Sequence, residues 1–232
     1  MSEPTFAPGT GTHGARVAAW VLIAGPLLEV AAMTEHPSVH GHEAAQVVAQ
    51  VRSLSSLAAL VHGVLIALMA AILLALLEFS VRRGLSRPLV RSGLLAYGLG
   101  VIAMTGAALV GGFVAPAVAH VNPGVTGADL QQMVAFMTFA MLLNQALAPC
   151  GAILMSVGIV AWSLDLGRGP VPQRLLGYFG IVTGLGAALA LAGGLLRLTV
   201  HGMTLVTLLE GVWTVGAGVV LLRSTRATLA PA

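Results

Sequence analysis

The chain has 232 residues, 57% of them hydrophobic and only 8% charged, with a mean hydropathy of +0.95. An ordinary soluble domain carries roughly 25% charged residues, so this composition excludes a soluble fold and makes a lipid bilayer the main solvent of a single bundle. The net charge of +3 and pI near 10 come from eleven arginines and no lysine, scattered between apolar runs, which marks them as topology signals and argues against a nucleic-acid partner.

Residues 1–14 are acidic and rich in Pro and Gly. They lack the basic stretch of a cleaved signal and predict a short disordered cytoplasmic tail before an uncleaved first span. A span needs about 20 apolar residues to cross a core of roughly 30 Å. Six segments qualify: 15–34, 55–80, 91–119, 130–164, 174–196 and 202–222. The expected fold class is therefore all-α, a polytopic membrane bundle of six transmembrane helices over residues 15–223, with a cytoplasmic tail at 224–232. Pro26 is placed to kink the first span and Pro149 to bend the fourth, since each removes a helical N–H. Between spans one and two, residues 42–54 put Ala44, Val47, Val48, Val51 and Leu54 on one stripe. That pattern predicts a short amphipathic helix on the outer membrane surface. Before span four, an Asn-Pro-Gly turn is followed by Thr126 and Asp129 as candidate caps. The connection between spans five and six is very short, which makes them antiparallel neighbours.

With the N-terminus inside, nine arginines fall on the cytoplasmic side and only Arg52 and Arg197 outside. That bias predicts cytoplasmic termini and a bacterial inner-membrane location. Small residues at every fourth position, Gly180, Gly184, Ala188 and Ala192 in span five and Ala103, Ala107, Gly111 and Ala115 in span three, predict close helix packing. Lining of a pore by these glycines is the weaker alternative.

On this topology His36, His40, His42, His120 and His201 are outside. His62 lies seven residues below Ser55, about 10 Å into the membrane. Glu29 is near the outer end of span one, Glu210 is eight residues down span six, and Asn144 with Gln145 is near the middle of span four. Intramembrane ionisable groups cost roughly 2.5 to 3.5 kcal/mol on insertion scales, so they face a partner or a wet cavity. Glu29, His62, Asn144 and Glu210 are thus candidates for a substrate or proton site.

The stretch "HPSVHGHE", residues 36–43, holds three histidines and a glutamate. Imidazole and carboxylate donors suit zinc or copper, and His36, His40, His42, His62, His120 and His201 are the candidate ligands of an outer metal site. Met133, Met137 and Met141 add a thioether stripe suited to Cu(I). The plain reading is that the loop is polar and exposed, the methionines fill the core, and His62 bonds a neighbouring helix. A b-type haem held by His62 with His120 or His201 ranks below a simple ion, because those two lie nearer the surface. Phosphate loops, nucleophile elbows and zinc-protease helices are absent from the sequence. Glu78 and Arg82, at i,i+4, form a helix-end ion pair.

The last two spans, "VPQRLLGYFGIVTGLGAALALAGG" and "TLLEGVWTVGAGVVLLR", resemble the closing helices of an uncharacterised family of six-span bacterial membrane proteins, a domain of unknown function. The matching positions are Pro172, Arg174, Gly177, Glu210, Gly211 and Trp213. The resemblance implies the fold and topology and carries no activity. The expectation is an integral membrane binding or transport protein whose outer-facing His/Glu site takes a metal ion or a proton-coupled small solute. The alternative is a non-catalytic structural or accessory subunit, in a homo-oligomer or a membrane complex. An intramembrane enzyme ranks lower.

Overall fold

A computed structural model describes residues 10–39, 43–121 and 124–227. All regular structure among them is helical: α1 (Thr10–Thr34), α2 (Ala44–Ser53), α3 (Ser55–Arg83), α4 (Pro88–Leu109), a π-helical turn (Val110–Val114), α5 (Ala115–His120), α6 (Gly127–Leu166), α7 (Val171–Ala192) and α8 (Val200–Ala227). α4, the π turn and α5 run on as one rod. Six helices are long and apolar enough to cross a membrane, so the chain is a multi-pass membrane protein with the expected all-α fold. The spans alternate in direction, giving a terminal face, which carries the start of α1 and the end of α8, and a distal face.

Several boundaries differ from the sequence reading. The fifth span ends at Ala192 rather than 196, because Gly193 and Gly194 close it: Gly193 N–H donates to Leu189, Leu196 N–H to Ala190, and Gly194 takes φ +70°. The connection to α8 is accordingly longer than expected. α6 starts at Gly127, with Thr126 at the N-cap but no capping bond from its side chain. Pro26 and Pro149 both sit inside uninterrupted helices. The expected surface helix exists as α2, but its apolar stripe turns inward. Val48 is buried, with Val47 and Val51, against Ala119 of α5 and Met133 and Met137 of α6. Arg52 Nε ties it down by donating to the Ala119 carbonyl at 2.9 Å.

Each span packs against its neighbours in sequence, and α1 closes the ring on α8. The tightest seam joins α4 to α6, where glycines meet backbone to backbone. A methyl group at Gly100 would lie 2.7 Å from the Gly151 carbonyl oxygen, and one at Gly158 would lie 2.8 Å from that of Gly93. Gly180 and Gly184 of the expected span-five ridge do pack on α6, against Ser163 and Ser156. The span-three ridge holds in part: Ala107 is buried with Ala148 and Ala152 of α6 and Ala115 with Ala140, but Gly111 faces His62, and the closest contact is made by Gly93 and Gly100, seven residues apart.

Toward the terminal face the bundle is filled by rings. Trp162 and Trp213, both fully buried, stack at 5.7 Å between centroids, with Tyr97 and Phe79 against them. Trp162 Nε1 donates to Ser80 Oγ at 3.1 Å. Just beyond, Asp165, 2% exposed, accepts from Arg83 Nε at 2.6 Å and Arg87 Nη1 at 3.0 Å. Arg83 is mostly buried and Arg87 half exposed, so Asp165→Asn is the change that would strand a buried charge, which costs about 3–5 kcal/mol. Glu78 and Arg82 form the expected i,i+4 pair at 2.6 Å, half-exposed.

Overpacking a tight contact costs about 1–3 kcal/mol. Gly100→Leu is therefore expected to lower the apparent Tm of the detergent-solubilised protein by about 3–10 °C. Gly186→Ala, where nothing lies within 4 Å, leaves Tm unchanged or raises it. Equal melting of the two variants would remove the glycine seam from the account of the fold.

Candidate site in the membrane cavity

The rings leave the distal half of the bundle unfilled. A cavity of about 1120 Å³ runs from Ser38 and Thr199 in the distal loops down to Ile72 and Thr214. At 1.5 Å per residue, Glu210 lies about 15 Å along α8 from Val200. α1, α3, α4, α6 and α8 wall the cavity and α2 covers one side of it, whereas α7 supplies no lining residue. The wall is mainly apolar, and seven of the nine methionines are in it. Neither an arginine nor a lysine lines it.

All four candidates for a substrate or proton site face this one cavity: Glu29 from α1, His62 from α3, Asn144 from α6 and Glu210 from α8. Glu210 Oε1 accepts from Ser156 Oγ at 2.8 Å, and Ser156 is fully buried. Glu29, Glu210 and the Tyr97 phenol lie within electrostatic reach of one another. Tyr97, 4% exposed, lines the same cavity. It is a site residue that sequence reading missed. Only its depth in span three, level with the carboxyls of α1 and α8 across the bundle, could have suggested it.

The π turn is built around His62. A methyl group at Gly112 would lie 2.5 Å from the His62 Cβ, and one at Gly111 would lie 3.2 Å from both His62 Nε2 and Asn144 Nδ2. Widened turns of this kind occur often at functional sites. Asn144 Nδ2 donates to the Ala107 carbonyl at 2.7 Å, just before the turn. His62 Nδ1 donates to the Ala58 carbonyl at 2.8 Å. A carbonyl only accepts, so this bond puts the proton of the neutral ring on Nδ1 and the lone pair on Nε2.

The six candidate metal ligands separate. His36 and His62 meet edge to face, with ring centroids 4.9 Å apart. His120 Nε2 is instead 3.0 Å from Ser55 Oγ, and His201 is exposed at the cavity rim. His40 and His42 lie outside the described residues. Among the described residues no three His, Cys, Asp or Glu side chains are placed to hold a metal ion together. The methionine stripe also divides: Met133 and Met137 are buried beneath α2, while Met141 is half exposed. The haem pairings considered for His62 are not formed, since its ring contacts His36.

No family model, curated protein or solved structure matches the chain.

His36 follows α1, outside the membrane-spanning segment, and its imidazole is held below the ordinary His range. Burial is the larger cause and the adjoining His62 the smaller, with the bond to Pro37 opposing both. A lowered pKa favours the neutral ring in the folded protein. Its stabilising contribution is present above about pH 6.5 and is lost as pH falls through the lower folded value. Amide exchange of residues 35–39, corrected for intrinsic rates, is expected to speed up several-fold between pH 7.5 and 5 in the native protein. It should stay flat in His36→Gln, and a native protein with no such change would exclude the His36–His62 contact as its source.

Proposed function

We propose that this chain is an integral protein of a bacterial cytoplasmic membrane that binds and translocates a small solute through a cavity opening to the outer face. One observation carries the reading: four polar side chains on four different helices converge on a single large cavity. Membrane interiors keep such groups only where a partner or solute repays their desolvation. The arginine distribution supports cytoplasmic termini and an outward distal face. The ring block and the Asp165 pairs close the opposite end, so the arrangement is that of an outward-facing site in a protein that exposes its site to one side at a time. Glu29 and Glu210 are the groups that can exchange protons with the solute, and His62 and Asn144 line its route.

Thiol accessibility tests this directly. In a Cys150→Ala background, Thr207→Cys on the cavity wall is expected to react with a membrane-impermeant thiosulfonate added to the outer side of intact cells. Val182→Cys, 71% exposed on α7 and facing lipid, is not. Labelling at Thr207→Cys only from the cytoplasmic side would reverse the orientation, and none from either side would sink the open cavity.

A metal-ion site is the second reading, favoured by the contact between His36 and His62. It predicts near-stoichiometric copper or zinc in the untagged purified protein, lost in His36→Ala and His62→Ala, as read by plasma mass spectrometry. Metal-free protein after incubation with each ion excludes it.

A further inference from the structure

The composition of the cavity wall narrows the solute. Two carboxyls face a space of about 1120 Å³ with no arginine or lysine in its lining. An anionic solute would meet uncompensated like charge, and a neutral one would leave the carboxyls without a counter-charge in an apolar surround. A bare metal ion needs several donors at about 2 Å, and the described residues hold no such cluster. Protons alone would neutralise the two acids but need no chamber of this size, since pockets for drug-sized ligands run to about 300–1,000 Å³.

The apolar part of the wall has its own signature. Met33 on α1, Met69 on α3, Met104 on α4, Met155 on α6 and Met203 on α8 reach the cavity from every helix that walls it. Methionine is unbranched and polarisable, so a wall of this kind repacks around ligands of different shape. Tyr97, 4% exposed on the cavity wall, adds a ring within electrostatic reach of Glu29 and Glu210. An aromatic face next to carboxylates attracts a cation.

Resting on the reading of the cavity as a solute site, we propose that it takes lipophilic organic cations of more than one shape, with Glu29 and Glu210 as the counter-charge and the methionines as an adaptable wall. No arginine or lysine faces the two acids, and the other titratable groups on the wall are few: Tyr97 from α4, His62 from α3, His36 from the first distal loop and His201 at the rim, with the Ser156 hydroxyl bonded to Glu210. Selectivity for positive charge therefore rests on the two glutamates.

The test uses two ions of the same size and shape and opposite charge, tetraphenylphosphonium and tetraphenylborate. Equilibrium dialysis against the detergent-purified full chain is corrected with protein-free micelles. Saturable binding of the phosphonium, weakened at least tenfold in Glu210→Gln and in Glu29→Gln, with borate at background, is the expected result. Ethidium, flat rather than tetrahedral, should compete for the same site. Met69→Ile with Met155→Ile should weaken one of the two cations more than the other, because a branched side chain cannot repack. Size-exclusion profiles identify any variant that fails to fold, and either glutamate variant suffices. Saturable binding of both ions, insensitive to both glutamates, overturns the cation inference and leaves a solute cavity. Binding of neither ion overturns the cation inference, and if Thr207→Cys is also inaccessible, the cavity reading falls with it.

Discussion

The contact between α4 and α6 at Gly93, Gly100, Gly151 and Gly158 is the constraint on which the rest of the bundle depends. Two helices that touch backbone to backbone have no freedom to rotate, because any side chain in the contact would force them apart. Fixing those two rods fixes the direction of everything else they carry. On α4 that is Tyr97 and, past the π turn, the floor beneath His62. On α6 it is Asn144, Ser156, Trp162 and Asp165. These span the molecule from the middle of the cavity to the terminal face, so one seam sets the site and its closure together.

The two halves of the bundle solve the problem of buried polarity in opposite ways. Near the terminal face the one buried acid of α6, Asp165, is matched by Arg83 and Arg87, and the indole of Trp162 by Ser80. Charges are paired there and the interior is filled by rings, although the Trp213 indole N–H and the Ser163 hydroxyl stay without a partner among the described residues. In the distal half, Glu210 has a single hydroxyl donor and Glu29 faces it without a cation. Membrane proteins keep ionisable groups in that condition where they act on something that comes and goes. The contrast between a closed, paired end and an open, unpaired one gives the molecule a direction.

Much of this was legible in the sequence. Hydropathy windows locate the six spans because lipid demands long apolar helices, and counting residues from each end placed Glu29, His62 and Glu210 in the outer half, with Asn144 near the middle of span four. What sequence could not supply was azimuth, the direction in which each group faces. The glycine seam repeats at seven residues rather than four, so a search for every-fourth-residue ridges found Ala107 and Ala115, which do pack on α6, but passed over Gly93 and Gly100. The pairing of Asp165 with Arg83 spans 82 positions and leaves no local trace. The π turn is equally hidden, because Gly111 and Gly112 read as packing residues until the ring they make room for is in place. His40 and His42, which gave the first distal loop its chemical character, fall outside the described residues, so the loop is defined here by His36 alone.

The π turn has a consequence for how the rod from α4 to α5 tolerates change in length. A wide turn is one extra residue accommodated in an otherwise regular helix. Deleting one residue between Val110 and Val114 would restore the ordinary period and leave α5 facing as it does now, whereas inserting a further residue there would turn α5 by about 100° around the axis. Ala119, whose carbonyl receives Arg52, would then face away from α2, and the covering helix would lose its anchor. A single-residue insertion here would therefore act at the cavity mouth, several residues away, as a change of register, and a deletion only locally, where the turn makes room for His62.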